Sequence, residues 1–156
     1  MKPILTFFAA GNPRGQPRAR AARIGNFVRM YDPKDADDWK MIVRNEARRH
    51  WDGVPYEGPL CVDLTFYFVR PQSHFKGQSA AARAANAPPI LKDIAPKWHV
   101  SKPDRDNCDK AVLDSLTQLG VWHDDNQVCD GRIRKRYVPA NSVPGVQITI
   151  REACDE

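Results

Sequence analysis

Apolar and polar residues alternate through "LCVDLTFYFV" (60–69), placing Leu60, Val62, Leu64, Phe66 and Phe68 on one face. A period of two is the signature of a strand with one buried side. Shorter segments read the same way. "PILTFFA" (3–9) predicts a first strand and "NFVRMY" (26–31) a short second one. "GVQITI" (145–150) predicts a last strand with Val146, Ile148 and Ile150 inward. "QVCDGRIRKRYV" (127–138) reads as one strand presenting Asp130, Arg132, Arg134 and Arg136 on a single face.

Two segments change to helical spacing. In the first, Ala36, Trp39, Val43, Ala47 and His50 or Trp51 recur every three or four residues. Asp32 is the expected cap and Pro33 the first helical residue. Asp35, Asp37 and Asp38 fall in the first turn and Arg48 and Arg49 near the end, both favourable to the helix dipole. Gly53 stops it. In the second, Cys108, Ala111, Val112, Ser115, Leu116 and Leu119 form a buried stripe. Asp106 or Asn107 is the expected cap, and Gly120 ends the helix.

Between these elements lie two segments without periodicity. Residues 11–25, "GNPRGQPRARAARIG", read as a Gly/Pro/Arg loop with Arg14, Arg18, Arg20 and Arg23 and no acid. Its natural partner is a phosphate backbone. Residues 71–99 read as an exposed insertion, in which "SAAARAAN" forms at most a helical turn or two. The order predicts an α/β (α+β) domain spanning 1–156. It has a mixed sheet of about five strands with two main helices packed on it.

No apolar run approaches a membrane span, and "ILTFFAA" is too short for a secretory h-region, so the expected location is the cytoplasm with no membrane partner. Cys61, Cys108, Cys129 and Cys154 are scattered, with no C-x-x-C pair. They read as reduced and mostly structural, neither a disulfide framework nor a zinc site.

Charge sharpens the picture. Residues 104–130 carry a net charge of −5, whereas the rest carries +10, within a chain of net +5. A positive body around a negative centre suits a polyanionic substrate and a cation-dependent site. Asp104 and Asp106 are two residues apart, and in an extended segment both would face one cation. Asp124 and Asp125 converge on them if the following strand pairs nearby. Clustered carboxylates repel unless cations bind among them, and hard oxygen donors favour Mg²⁺ or Mn²⁺. Lys110, one turn after Asp106, reaches the same cluster. Asp114, a further turn on, reads as its ion-pair partner rather than a metal ligand. A calcium loop over "DRDNCDKAVLDS" fails, because Asp109 stands where Gly is required and Ser115 where Glu is required. For His99 and His123 the alternatives are a polar loop position and a water-activating or phosphate-contacting role; Trp122 reads as a core or turn anchor, Cys108 as a small buried hydrophobe and Asp109 as a first-turn acid. Acids, lysine and arginines together suit metal-assisted phosphodiester hydrolysis.

"KPDRDNCDKAVLDSLTQLGVWHDDNQV" (102–128) resembles the signature of the RusA family of Holliday junction resolvases. The family pattern runs K-P-D-x-D-N-x-x-K-x-x-x-D-x-L, then W-x-D-D-x-Q-V, and both halves and their spacing agree. The resemblance implies a dimeric, Mg²⁺-dependent endonuclease that cuts four-way DNA junctions with paired symmetric nicks, in recombination and repair. It puts the catalytic acids on Asp104, Asp106 and Asp125 and the essential lysine on Lys110, with Asp124 as a further ligand position. Arg105, Cys108 and Asp109 stand where the family is often apolar or variable, and the 71–99 insertion lies outside its compact pattern. Arg14, Arg18, Arg20, Arg23, Arg132, Arg134 and Arg136 are the expected nucleic-acid contacts. The competing readings are a non-catalytic DNA-binding protein and a metal nuclease for other branched DNA or RNA.

Overall fold

The computed structural model describes residues 2–31 and 36–154. Its centre is the segment with the strongest alternation, β4 (Leu60–Phe68), whose Leu60, Val62, Leu64, Phe66 and Phe68 are all buried. β7 (Gly145–Glu152) pairs antiparallel with one edge of β4, and β1 (Leu5–Ala10) pairs antiparallel with β7. On the other edge of β4, β5 (Val128–Asp130) and β6 (Ile133–Tyr137) follow one another, both parallel to it. The sheet is therefore mixed and five-stranded.

Helices α1 (Asp37–His50) and α3 (Arg105–Leu119) pack on the apolar face of this sheet and on each other. Trp39, Val43 and Ala47 of α1 and Cys108, Ala111, Val112 and Leu116 of α3 join Phe7, Leu64, Phe66 and Ile148 in one core. Each large side chain so buried contributes about 2 kcal/mol of hydrophobic free energy. The polar member of the α3 stripe, Ser115, is satisfied by donating to the Ala111 carbonyl at 2.6 Å. Gly120 closes α3 in the left-handed region at φ 90°. Trp122 is buried, its indole N–H donating to Thr117 Oγ1 at 2.7 Å.

Several expectations change. The 11–25 loop is not loop throughout: β2 (Arg20–Ile24) pairs antiparallel with β3 (Phe27–Tyr31) as a separate two-stranded hairpin. The missed signal is Gly25-Asn26, a two-residue hairpin turn. The 127–138 segment is two strands, because the chain breaks at Gly131. In the described residues α1 begins at Asp37, with Ala36 as N-cap and Asp37 and Asp38 in its first turn. The cap at Asp32, Pro33 at the first position and Asp35 lie outside the described residues.

The 71–99 insertion is mostly exposed and holds one short helix, α2 (Ala80–Ala84), capped by Ser79 Oγ. It does not stay away from the sheet. Residues 97–99 run along the outer edge of β6, with His99 N–H donating to Lys135 O at 3.1 Å and Tyr137 N–H to Lys97 O at 2.9 Å. Arg70 ties the insertion down by donating to Val138 O at 2.8 Å and Pro96 O at 2.7 Å. The His99 ring stacks on Phe68 with centroids 4.0 Å apart, and its Nδ1 is buried without a partner. Burial first, and the Lys135 charge second, hold the His99 pKa below its usual value. The depressed folded-state pKa has a defined sign. The stability it contributes is complete above the unfolded-state value, near 6.5, and is lost as pH falls from there toward the folded-state value. His99→Phe is expected to flatten this acid-side slope in urea titrations run between pH 7 and 5. A slope equal to that of the unmutated chain would contradict it.

Candidate active site and nucleic-acid surface

The acidic motif lies where α3 begins. Asp104 is its N-cap, in extended conformation at φ −67° and ψ 151°, and its carboxylate makes no capping hydrogen bond. The cap thus lies two residues before Asp106 and three before Asn107. Asp106 already belongs to the helix, so the two carboxylates are not brought together by an extended segment. Both are exposed, at the positive end of the helix dipole, which favours them.

The approach to Asp104 is braced from two sides. Lys135 of β6 donates to the carbonyls of Ser101 and Pro103. The basic loop lies against the same point, Gln16 N–H donating to Asn107 O at 2.8 Å. Gly15 permits this approach, since a Cβ there would lie 2.8 Å from Pro103 Cβ and 3.0 Å from Asn107 Cβ. A groove of about 670 Å³ results, lined by Gly15, Gln16, Arg18, Lys102, Asp104 and Asn107. An arginine of the basic loop and a carboxylate of the acidic motif therefore share one groove. Gln16, which the sequence reading passed over, has its side-chain oxygen buried without a partner.

Asp125 arrives by helix packing rather than by strand pairing. The strand after it, β5, pairs with β4. The 3-10 turn Asp125–Gln127 packs against α3. Asp124 caps that turn: its Oδ1 accepts from Asn126 N–H at 2.8 Å, while Gln127 Oε1 accepts from the Asp124 N–H at 3.3 Å. The adjacent pair thus divides, with Asp124 serving the turn.

Asp109 lies in the second turn of α3, not the first, and is half-buried. Burial raises its pKa; Arg105 opposes the rise, and the charges of Asp106 and Asp125 add to it. Asp106 and Asp125 are therefore both near enough to act on one carboxyl group. Among the described residues, no three His, Cys, Asp or Glu side chains are gathered closely enough to hold a metal ion. The donors brought to this end of α3 are nonetheless all carboxylates, the chemistry a hard divalent cation takes. Cys108, beneath them, is fully buried, and burial pushes its thiol up to about 11, opposed by Lys135 and reinforced by Asp104, Asp106 and Asp109.

Lys110 extends from α3 and pairs with Asp114 at 3.6 Å, as its spacing predicts. Asp114 also pairs with Lys40 of α1 at 3.5 Å. Lys40 is buried and was not legible as a partner, because its helix is remote in sequence. Asp114 is thereby committed to two lysines.

The arginine face divides at Gly131. Arg134 and Arg136 lie opposite Thr65 and Tyr67, on the sheet face away from the helices, with the Arg136 guanidinium 5.1 Å from the Trp98 ring centroid. Arg132 precedes β6 and continues its ladder through Leu64 N–H to Arg132 O at 2.8 Å. Asp130 belongs to β5 and is separate from this row. Arg14, Arg18 and Arg23 lie in the basic loop and hairpin, with Arg20 at the start of β2. His123 is on the surface, 2.8 Å from Glu57. Cys61 and Cys108 are buried, whereas Cys129 and Cys154 are exposed. No helix among the described residues is long and apolar enough to cross a membrane.

Residues 10–151 match the family of endodeoxyribonuclease RusA. The uncharacterized protein YqaN of Bacillus subtilis strain 168 is 30% identical over 148 residues, covering 95% of this chain and 96% of its own. The crossover junction endodeoxyribonuclease RusA of Escherichia coli K12 is 42% identical over 53 residues, 34% of this chain and 42% of its own. A family match over almost the whole length, on a fold that carries both halves of the acidic motif to one helix, settles membership: the chain belongs to the RusA family of endodeoxyribonucleases.

Proposed function

We propose that this protein is a metal-dependent, structure-selective endodeoxyribonuclease that resolves four-way junctions by paired symmetric cleavage, acting in the cytoplasm in DNA recombination and repair. The observation that carries the reading is the packing of the Asp125 turn against α3, the helix that starts at Asp104 and Asp106, with the basic loop against Asp104. Similarity to the crossover junction enzyme supports the substrate class.

Asp104, Asp106 and Asp125, with Asp124 at the margin, would hold Mg²⁺ or Mn²⁺, which supplies an activated water and neutralises the leaving oxygen. Lys110, kept in place by Asp114, stabilises the charge that builds on the pentacovalent phosphate. Arg14, Arg18, Arg20 and Arg23 on one side, and Arg132, Arg134 and Arg136 on the other, hold the phosphate backbone. Two symmetric cuts need two such sites, so the working form is a homodimer.

The test compares a synthetic four-way junction, a fork and a linear duplex in Mg²⁺ and Mn²⁺. Paired nicks confined to the four-way junction are expected. Preferential cutting of the fork would mark a nuclease for other branched DNA. Tight junction binding without nicking at any metal concentration would mark a non-catalytic binder.

A further inference from the structure

The β2–β3 hairpin leaves two apolar side chains in water at its turn: Phe27 is 79% exposed and Val28 70%. Its strands pair with each other and with no strand of the main sheet. A two-stranded hairpin is marginal alone, so an exposed aromatic at its tip points to contact with something else. The charge around it says what. From Lys2 to Tyr31 the chain has no acid, and it has arginine at 14, 18, 20, 23 and 29. Arg23 is drawn to the turn itself, its Nε donating to Gly25 O at 3.1 Å. A second copy of the hairpin would meet like charge, whereas a phosphate backbone complements it. The hairpin continues directly from the loop whose Gln16 is bonded to the start of α3, so its root is at the groove containing Asp104. Five extended residues give it a reach of about 17 Å.

The interior of a linear duplex offers an aromatic side chain no open face, because every base pair there is stacked on both sides. A branch point does, since the helices part there and leave terminal pairs uncovered. Apolar wedges at unstacked steps and aromatic stacking on bases are recurrent means of reading nucleic-acid shape.

We propose that the β2–β3 hairpin is the branch-reading element, with Phe27 stacking on the base pair exposed at the branch while the flanking arginines hold the phosphates. The proposal rests on the branched-DNA reading above and adds to it the element that selects the branch.

The experiment measures binding of the full chain to a four-way junction and to linear duplex of equal length, in Ca²⁺ to withhold cleavage. Three proteins are compared: wild type, Phe27→Ala and Phe27→Trp. Phe27 packs on little, so Phe27→Ala should fold as wild type, and circular dichroism checks this. The expected result is a loss of about tenfold in junction affinity for Phe27→Ala, unchanged duplex affinity, and recovery with Phe27→Trp. Equal loss on both substrates, or no loss on the junction, overturns the stacking role. A change of oligomeric state in Phe27→Ala, seen by sedimentation, also overturns it and makes Phe27 an interface residue. A wild type that binds junction and duplex equally sinks the branched-DNA reading itself, whatever the variants do.

Discussion

Asp106→Asn is expected to lower junction cleavage at least about a hundredfold while leaving binding intact. The substitution keeps shape and removes one negative charge. Asp106 is exposed in the first turn of α3 and makes no packing contribution to the core. Its structural worth is a helix-dipole interaction of about 0.5 kcal/mol, too small to unfold the domain. Its proposed worth in catalysis is larger, because the cation it would help hold neutralises the charge of the phosphoryl transition state, an effect worth about 10²–10³ in rate. Binding should hold or tighten, since an anion next to a phosphate backbone has been removed. Single-turnover cleavage in Mg²⁺ and gel shifts in Ca²⁺ give the two numbers. Asp125→Asn should behave alike. Asp124→Asn should fall much less, because an Asn oxygen can still accept from the Asn126 N–H that Asp124 caps. Cleavage by Asp106→Asn at the wild-type rate would remove the acidic cluster from the mechanism.

The contrast between Asp124 and Asp125 shows how much of the site the sequence carried. Residue types and spacing marked both aspartates, but an adjacent pair reads identically until the turn is built. Only the capping geometry separates them. Likewise, the burial of Val62, Leu64 and Phe66 followed from alternation, which is local. β3 is legible as a strand, but β2 is hidden because "RAARI" (20–24) does not alternate and reads with the basic loop through Gly25. Lys40 and Gln16 were illegible for a different reason. Their roles come from elements far apart in the chain, α1 against α3 and the basic loop against the start of α3. Periodicity reports which face is buried but says nothing of what covers it. The motif half of the site was therefore readable, whereas its supports were tertiary.

Gly131→Ala is expected to cost about 3 kcal/mol. Gly131 sits at φ 145°, between β5 and β6, where the chain passes close to β4. A Cβ there would lie 1.9 Å from the Val62 carbonyl oxygen and 2.7 Å from its carbon. These are backbone atoms of the central strand, so no rotamer change relieves the overlap. The neighbouring bonds hold the crossing from both sides: Arg132 N–H donates to Asp63 Oδ1 at 2.8 Å, and Asp63 in turn pairs with Arg151. Relief would require β5 or β6 to part from β4. The first carries the Asp125 turn and the second the arginine face, so the strain also reaches the relative placement of acids and arginines. Gly53→Ala is the matched control, because Gly53 has φ 86° but open space around it. It carries the backbone penalty alone, about 1 kcal/mol. Thermal unfolding should place Gly131→Ala about 10 °C below wild type and Gly53→Ala only a few degrees below. Equal melting temperatures for the two variants would mean that glycine at 131 serves backbone freedom alone. A larger drop for Gly131→Ala would identify close passage against β4 as what requires glycine at this position.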